Sequence, residues 1–427
     1  DSAQIGKQAV RVDAHVERVP ADRRRVFQKV AALAKRAMKS SAEGDNVGAA
    51  RLAHKAYLLA PDMALTNHVL GLMLYNLGRL SRALDFFEVA WKIDPSDAEI
   101  YQKLGLVAWK LNMLEAAEKF YRLQYKLAPA AVDAAINLGG VLRDAGKFEE
   151  AIEILRTAIY AHQDDYELWN SMGTVLSDKG EPEEARTFYL EALRLKPDYG
   201  RAHNNMANIH ELLGQPLLAL PHYDEALKDP ADAMEEATMR HGRSMALLSA
   251  GRLAEGWAAG ESRLDPNRAQ ATLFTMKAPY WDGTDPGKLR GKTLVLVGEQ
   301  GLGDEVLFMN TVPDLLEALG PDGIACEQRL RSLVKRSFPT AVVGNHLSAT
   351  IEGRDVRVAL QLEDGADFWT PMATPLRAFR NDIADFPDTH FLVADPDLQS
   401  SYRQQMAGFG DGLKVGILWK SLKMDVK

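Results

Sequence analysis

The sequence predicts an α-solenoid built from helix-turn-helix repeats, followed by an α/β layer. Two observations predict this fold class. Glycine recurs with a period of 34 residues, at Gly71, Gly105, Gly139 and Gly173. Beyond Arg263 the period is lost, and short apolar runs alternate with stretches of helical periodicity. Such alternation is typical of a sheet whose faces are covered by helices.

Other positions share the 34-residue register. Alanine recurs at Ala83, Ala117, Ala151, Ala185 and Ala219. Four positions after each alanine stands a large side chain: Phe87, Tyr121, Leu155, Tyr189 and Tyr223. Proline recurs at Pro61, Pro95, Pro129 and Pro197. Gly44, Gly78, Gly146, Gly180 and Gly214 recur as turn glycines, with Asn112 once in their place. A helix-turn-helix unit of about 34 residues is the tetratricopeptide repeat (TPR).

Each residue type in the register has a physical reason. We expect the small residues where two helices approach closely, with the large side chain filling the neighbouring hole. We expect the turn glycine at positive φ, where it ends the first helix at little steric cost. Proline suits the boundary between repeats because it has no N–H to donate inside a helix. The TPR solenoid is predicted over 31–264, with about six to seven repeats, after an N-terminal segment or leading helix at 1–30.

The first helices of the repeats carry asparagines in register. Asn137 and Asn170 lie near the starts of such helices, and Asn204 follows Asn170 by 34 residues. Their amides could bind the backbone of an extended peptide in a groove for a partner protein. The same amides could equally supply the polarity that helix starts favour. The sequence leaves both interpretations open.

Composition limits the class of protein. The chain has 427 residues, 46% of them hydrophobic and 26% charged, which fits a soluble protein of more than one domain. A net charge of −8 without a basic stripe argues against a nucleic-acid partner. The single cysteine, Cys326, excludes an internal disulfide framework and fits a reducing compartment. We find no apolar run of 18 residues and no signal-peptide pattern, and therefore expect a cytoplasmic protein without a membrane span.

The second half of the chain reads as strands and helices after a segment rich in proline and glycine. Residues 265–291 are predicted to be a linker, and 292–412 a Rossmann-like domain with a parallel sheet. The predicted strands are 293–297, 324–327, 341–343, 356–360 and 415–419. Helices are predicted over 305–319 and 330–337. The apolar segment 368–375 is predicted to be a connection that plugs the core, or else a loop lining a cleft.

The loop Gly298-Glu299-Gln300-Gly301-Leu302-Gly303-Asp304 follows the first buried strand and opens a helix. Ligands of open α/β sheets bind at the carboxyl ends of strands, so this loop is the expected site. The spacing fits neither GxGxxG nor a P-loop, and a tight turn that needs glycine for geometry alone is an equal alternative. Asp304 could cap the helix or accept a proton from an attacking hydroxyl. Glu299 and Glu305 compete for the proton-accepting role.

The residues from Gly251 to Phe308 carry a resemblance to a known family. The run resembles bacterial TPR glycosyltransferases, which join a repeat solenoid to a catalytic unit of the GT-B fold. The matching pieces are GRLAEGW at 251–257, Glu261 with Arg263, WDG at 281–283, LRGK at 289–292 and GEQGLGDEVLF at 298–308. The layout is also similar to that of eukaryotic O-linked N-acetylglucosamine transferase. The Gly-Asp pair is similar to the corresponding element of heptosyltransferases (glycosyltransferase family 9).

The resemblance implies a protein O-glycosyltransferase that transfers a sugar from a nucleotide-activated donor to Ser or Thr, with inversion. It implies Asp304 as the catalytic base, and the loop residues Gln300, Gly301 and Gly303 as donor contacts. The solenoid would capture the acceptor protein, with flagellin as the expected acceptor. No cofactor and no metal are implied, because the nucleotide-sugar is a co-substrate. Pairing of solenoid ends into a homo-oligomer is left open.

A GT-B enzyme has two Rossmann domains, and the sequence holds only the start of the second. Residues 413–427 resemble its first strand and loop, with Lys420 and Ser421 placed to approach the donor phosphate. A surface lysine beside a strand end is an equal interpretation of Lys420. We therefore expect the sequence to be part of a longer protein and inactive by itself. The alternative from a different class is a non-catalytic adaptor or chaperone whose α/β part is a degenerate transferase-like scaffold.

Overall fold

The computed structural model describes residues 24–319, 323–351, 353–359, 362, 365–388, 390–410 and 412. The chain divides into two compact units, the first ending at Gly214 and the second beginning at Gln215. The predicted limits of the solenoid and the Rossmann-like domain stay predictions. Among the described residues, no helix combines the length and the apolar character that crossing a bilayer requires.

The first unit consists of helices that pack in successive pairs, with one further helix at its end. Its helices are α1 Arg24–Ala42, α2 Asn46–Leu59, α3 Ala64–Asn76, α4 Leu80–Ile93, α5 Ala98–Lys110, α6 Leu114–Leu127, α7 Val132–Asp144, α8 Phe148–Ala161, α9 Tyr166–Lys179, α10 Pro182–Leu195 and α11 Gly200–Leu212. Each helix packs against the next, and the first helices of neighbouring pairs also touch. This stacking of pairs confirms the predicted α-solenoid for this unit.

The recurring glycines pack against the large residue of the second helix in the same pair. A Cβ added to Gly105 would lie 2.6 Å from the Tyr121 ring, and one added to Gly173 equally close to Tyr189. At Gly139 the partner is Leu155, whose Cγ would lie 3.0 Å away. The interhelical hole predicted from the register is therefore confirmed, and glycine is the residue that makes room for the ring.

The turns between the paired helices follow the register as predicted. The five recurring turn glycines have φ between 68° and 93°. Asn112 has φ 58°, so the residue that replaces glycine adopts the same left-handed conformation. Asparagine is one of the few residues that tolerates this region. The register prolines Pro61, Pro95, Pro129 and Pro197 all lie between helices.

The second unit, as far as the structure describes it, contains three helices that precede its two sheets and further helices between and after the strands. The helices that precede the sheets are α12 Pro216–Ala226, α13 Ala233–Ser249 and α14 Leu253–Gly260. The elements that follow are β1 Leu273–Phe274, β2 Leu294–Val297, α15 Leu302–Phe308, α16 Val312–Leu319, β3 Gly323–Cys326, α17 Arg331–Ser337, β4 Val342–Asn345, β5 Leu347–Ile351, β6 Arg354–Val358, β7 Phe368–Pro371, α18 Leu376–Phe379 and α19 Pro396–Ala407.

Four of these strands form a parallel sheet in the order β4-β3-β2-β7. The register pairs Leu296 with Ile324 and with Thr370, and Ile324 with Val343. All residues of β2 are buried, as expected of a parallel strand covered on both faces. The predicted parallel sheet is therefore confirmed for this part of the chain. The Rossmann and GT-B assignments stay predictions.

Three predictions about this half need correction. Residues 356–358 belong to β6, which lies in a separate mixed sheet of order β1-β6-β5 rather than in the parallel sheet. Residues 368–371 are not a loop or plug but strand β7, which pairs with β2. Pro371 misled the prediction, although an edge strand accommodates a residue without an N–H. The apolar stretch 305–319 forms two helices separated by a short turn at Met309–Thr311.

The segment predicted as a linker, 265–291, packs onto the parallel sheet. Trp281 is 2% exposed, and its backbone N–H donates to the carbonyl of Trp369 at 2.9 Å. Leu289 is fully buried. The segment dense in proline and glycine thus follows an irregular path over the core, and its assignment as a linker stays a prediction.

Candidate functional site

Charged side chains gather where the strands of the parallel sheet end. Strands β2, β3 and β4 are followed by Gly298, Glu327 and His346. Parallel strands end at a common edge of the sheet, which is where α/β proteins place ligand sites. Glu299, Glu305, His346 and Arg357 of this edge are all less than a tenth exposed. Charges buried to this degree require partners, and two groups of side chains provide them.

The first group centres on the ion pair between Glu299 and Arg263. Arg263 Nε donates to Glu299 Oε2 at 2.8 Å, and its Nη2 donates to Glu299 Oε1 at 3.1 Å. The backbone N–H of Ala373 donates to the same Oε1 at 2.6 Å. Arg263 also donates to Glu261 at 2.9 Å and to Thr374 at 2.8 Å. The two carboxylates hold the pKa of Arg263 above its usual range in spite of its burial.

Residues in or beside the other resembling sequence pieces also make contacts in this half of the chain. The Trp257 indole N–H donates to the carbonyl of Arg380 at 2.7 Å. Gly283 has φ 73°, and a Cβ there would lie 2.5 Å from the Thr374 carbonyl oxygen. The hydroxyl of Tyr280 donates to Glu261. Glu261, Arg263 and Gly283, which belong to two separate pieces, therefore all contact Thr374.

The second group centres on Glu305, which is 1% exposed. Its Oε2 accepts from the backbone N–H of Glu327 at 2.9 Å. Its Oε1 lies 2.9 Å from His346 Nε2 and 3.3 Å from Arg357 Nη1. Gly298 leaves room for this carboxylate, because a Cβ there would lie 2.2 Å from Oε1. Glu305 thereby ties together the ends of three strands and has no free lone pair directed at solvent.

Cys326 ends β3 beside this group and is fully buried. Burial raises the pKa of its thiol to about 12, and the negative charge of Glu305 acts in the same direction. The thiol therefore stays protonated at neutral pH and is a poor nucleophile.

The predicted base, Asp304, lies half-buried in the first turn of α15. Its Oδ2 accepts from the Gly301 N–H at 3.0 Å, and its Oδ1 has no hydrogen-bond partner among the described residues. The structure thus shows the capping contact and leaves one oxygen free. Nothing within 4 Å would oppose a Cβ on Gly303, so the backbone there is open. Asp304, Glu299, Gln300, Gly301 and Gly303 stay predicted site residues.

A cavity of about 260 Å³ opens beside the same loop. Its polar walls include Arg263, Arg268, Gln270, Thr272, Glu299 and Gln300. Gln300 has φ 62°, a left-handed conformation that is uncommon for a side chain of this size. At Gln300 the loop that leaves β2 changes direction, at the mouth of the cavity. Two of the predicted loop residues, Glu299 and Gln300, are therefore cavity residues.

Two of the three asparagines predicted to face a partner protein, Asn137 and Asn170, have side-chain partners in the first unit. Asn170 is 9% exposed, and its Oδ1 accepts from Asn205 at 2.9 Å. The structure thus brings Asn205, rather than Asn204, to Asn170. Asn137 donates weakly to Gln124 at 3.4 Å. The proposed groove residues are half-buried or buried, and their binding role stays a prediction.

The remaining predicted site residues, Lys420 and Ser421, lie outside the described residues, as does the predicted start of a second domain at 413–427. Within the described part of the chain, no cluster of three or more His, Cys, Asp or Glu residues is placed to hold a metal ion.

The sequence analysis missed several residues of this edge, namely Arg268, His346, Arg357 and Thr374. Arg268 was hidden in the segment interpreted as a linker. His346 directly follows a strand that the sequence did predict, so its position at the carboxyl end was an available signal. Arg357 and Thr374 reach the edge only through β6 and β7, whose placement in the sheets could not be read from the sequence.

Comparison with known proteins gives three kinds of similarity. Models described as tetratricopeptide repeat match residues 98–130, 132–164 and 170–234. Protein FlbA of Caulobacter vibrioides is 41% identical over 206 residues. The matched region is 47% of this chain but only 34% of that protein, so this chain spans about a third of its relative.

Solved structures of repeat proteins are also similar. A tetratricopeptide repeat protein of Thermus thermophilus is 26% identical, with a TM-score of 0.38, over 43% of this chain and 99% of its own. One from Parabacteroides merdae is 15% identical, with a TM-score of 0.46, over 55% of this chain and 93% of its own. The repeat models and the observed helix pairs together lead to one conclusion: the chain carries tetratricopeptide repeats, as its 34-residue register predicted.

Proposed function

We propose that this chain is part of a protein O-glycosyltransferase that captures an acceptor protein on its repeats and transfers a sugar at the carboxyl edge of its parallel sheet. The observation that carries the proposal is the loop 298–304. It leaves the carboxyl end of β2, borders a polar cavity and presents the unpaired Oδ1 of Asp304. Such an edge is the usual ligand site of open α/β sheets.

The strand order supports a Rossmann-type assignment of this half. The chain enters the sheet at β2, proceeds outward through β3 and β4, and returns to β7 on the other side of β2. The first half of a doubly wound nucleotide-binding fold has this order, with its ligand crevice where the direction reverses. In this chain that reversal lies at β2 and β7, between which Glu299 accepts from the Ala373 N–H.

In the proposed reaction, Asp304 accepts the proton of an acceptor Ser or Thr hydroxyl. The oxygen then attacks the anomeric carbon of the donor, the bond to the nucleoside diphosphate breaks, and the configuration inverts. General-base catalysis of this kind contributes a factor of about 10²–10⁴ to the rate. Gln300, Gly301 and Gly303 would lie against the donor, and flagellin is the acceptor we would test first.

The repeats supply the means of holding the acceptor. Solenoids of this type present extended surfaces that bind proteins. Lys103, Asn137, Ser171 and Asn205 form a row in which each residue follows the last by 34 positions. Burial lowers the pKa of Lys103, while Glu99 and Asp133 partly oppose the shift. A row of polar groups with this period can meet a repeating peptide backbone.

The decisive experiment is turnover by the full-length protein with Asp304→Asn. Asparagine can still accept from the Gly301 N–H and keep the cap, but it cannot take a proton. We expect transfer to fall at least about a hundredfold with acceptor binding unchanged. Asp285→Asn is the matched control, since Asp285 also caps a short helix, through Gly287 at 2.8 Å. Undiminished turnover in Asp304→Asn would remove the base role.

A specific observation favours the adaptor as a second candidate. Glu299 and Glu305, the other two candidate bases, are both buried against charged partners, which leaves fewer unpaired carboxylates for catalysis at the sheet edge. An adaptor would hold a client on its repeats and bind no nucleotide. Titration of the full-length protein with nucleoside diphosphates distinguishes the two candidates, because heat or chemical-shift changes are expected only for the transferase.

A further inference from the structure

The cavity beside Gln300 holds an arginine that makes no ion pair among the described residues. Of the two arginines in its walls, Arg263 is paired with Glu299 and Glu261. Arg268 makes no ion pair among the described residues, and its hydrogen bond there runs from Nη1 to the backbone carbonyl of Arg263 at 3.0 Å. The acid in the cavity wall, Glu299, is fully occupied by Arg263 and the Ala373 N–H. The guanidinium of Arg268 therefore has no carboxylate within salt-bridge distance among the described residues, although Asp265 attracts it from farther away.

The free side of Arg268 has a defined geometry. Its Nε is buried from solvent and has no hydrogen-bond partner. Because Nη1 is occupied, the unpaired Nε and the neighbouring Nη2 form one edge of the guanidinium. Two parallel N–H donors on such an edge match two oxygens of a carboxylate or a phosphate. A buried donor left without a partner costs about 1–3 kcal/mol, so the arrangement favours a bound acceptor.

The surroundings supply a second unpartnered polar atom. Nδ1 of His241 on α13 is buried and also lacks a hydrogen-bond partner. Burial lowers the pKa of His241 to about 4, and the positive charges of Arg268 and Arg263 add to the effect. The imidazole is therefore neutral at physiological pH and responds to any change in the charge balance around Arg268.

The size of the cavity limits the ligand. A volume of about 260 Å³ corresponds to roughly nine water molecules at their share of liquid volume. One phosphate or carboxylate with a small organic substituent fits this space, whereas a whole nucleotide-sugar does not. Gln270, Thr272 and Gln300 add neutral hydrogen-bonding groups to the walls.

We propose that this cavity is an anion-binding site in which the Nε–Nη2 edge of Arg268 holds one phosphate or carboxylate group of a small ligand. Gln270, Thr272 and Gln300 bind the remaining polar atoms. The site does not depend on the proposed transferase activity, because a small free anion can occupy it whether or not the chain binds a nucleotide-sugar.

The test is calorimetric titration of the full chain with inorganic phosphate and with acetate, against chloride at matched ionic strength. We expect saturable binding of one or both anions. Arg268→Gln should weaken it at least tenfold, and Arg268→Lys, which keeps the charge but loses the fork, by a smaller factor. Arg290→Gln, at an exposed arginine outside the cavity, is the matched control and should bind as the wild type does.

NMR titration of the His241 ring distinguishes anion binding by Arg268 from a purely structural role of Arg268. Bound phosphate should raise the pKa of His241 in the wild type and leave it unchanged in Arg268→Gln. A further set of titrations uses a nucleoside monophosphate and a nucleoside diphosphate. Binding through Arg268 assigns the anion to a nucleotide, while binding of phosphate or acetate alone assigns it to a small free anion.

Two results would overturn the proposal. One is the absence of saturable binding for every anion tested. The other is equal affinity in the wild type and in Arg268→Gln. Circular dichroism of each variant distinguishes a lost site from a lost fold, and Arg268→Lys decides the matter if Arg268→Gln does not fold.

Discussion

The two units of the molecule fill their interiors in different ways. In four of the repeats a glycine of the first helix faces an aromatic ring or a leucine of the second, and the contact is one of shape. In the second unit the sheet edge is filled by charged side chains, with Glu299 at 2% and Glu305 at 1% exposure. The repeats are stabilised by close packing, whereas the two buried glutamates of the sheet edge need partners for their charges.

This difference decides how mutations act. A packing defect in one repeat is local, because each repeat contacts only its neighbours. Loss of one ion at the sheet edge affects several segments of the chain, because a single residue such as Arg263 binds Glu299, Glu261 and Thr374. The predictions that follow test this contrast, starting with the largest effect.

The largest effect is expected for Glu299→Gln. The change leaves Arg263, whose side chain is 10% exposed, without its main counter-ion. Breaking a buried ion pair from one side costs about 3–5 kcal/mol. Hydrogen exchange of the β2 and β7 amides in the full chain should show a loss of protection of this size.

The control for this variant is Glu191→Gln in the first unit. Glu191 pairs with Arg194 on the helix surface, where solvent screens the charges. We expect no measurable change in exchange there. Equal effects in the two variants would show that the sheet edge does not depend on its buried charges.

In the repeats the corresponding test is Gly173→Ala. The added Cβ would lie 2.6 Å from the Tyr189 ring, which is 2% exposed and has no room to move. Overpacking costs about 1–3 kcal/mol, against a gain of up to about 1 kcal/mol in helix propensity, so we expect a net loss of about 1–2 kcal/mol. Hydrogen exchange of α9 and α10 measures it.

Gly139→Ala is the matched variant in the neighbouring repeat. Its Cβ would meet Leu155 at 3.0 Å, and a leucine can rotate away more easily than a ring. We expect a loss smaller than that of Gly173→Ala. The reverse order would mean that the ring is not the constraint that keeps glycine in the register.

The two units also differ in how much of their structure the sequence predicted. The repeats were predicted in detail, down to Asn112 at positive φ, because a period of 34 repeats the same physical demand at each turn. The four parallel strands were found in part. Strands β2, β3 and β4 are apolar runs, whereas β7 contains Pro371 and was taken for a connection.

The candidate site was less accessible to sequence reasoning. The loop 298–304 was placed at the sheet edge correctly, since a glycine-rich turn after a buried strand has few other positions. The partners of the carboxylates Glu299 and Glu305 were not predicted from the sequence. Arg263 lies 36 positions before Glu299, and His346 lies 41 positions after Glu305. No local pattern links residues so far apart in the chain, and each occurs once.

The next prediction concerns acid stability. In the folded chain the pKa of His241 is about 4, below its ordinary value of 6.5. The unfolded chain therefore binds the proton more readily, so this contribution to stability is present above pH 6.5 and is lost as the pH falls towards 4. We expect about 1 kcal/mol, once the solvent contact of the half-buried imidazole is allowed for.

Urea denaturation at pH 7 and at pH 4.5, in phosphate-free buffer, measures this contribution. His241→Gln should show a weaker fall in stability between the two values than the wild type does, because glutamine does not titrate. Identical slopes in the two proteins would assign the acid sensitivity to the carboxylates alone.

The smallest expected effect belongs to the exception in the repeat register. Asn112 has φ 58°, and its side chain makes no hydrogen bond among the described residues, so only its backbone conformation matters. Asn112→Gly should stabilise the repeat by up to about 0.5 kcal/mol, since relief of the left-handed conformation slightly exceeds the entropy cost of glycine.

Gly146→Asn, at φ 72° in the next repeat and with open space around its Cβ, makes the opposite change and should cost a similar amount. Exchange of the flanking helices in both variants gives the comparison. A loss of stability in Asn112→Gly would show that the asparagine amide holds the turn, and that shape alone does not account for the repeats.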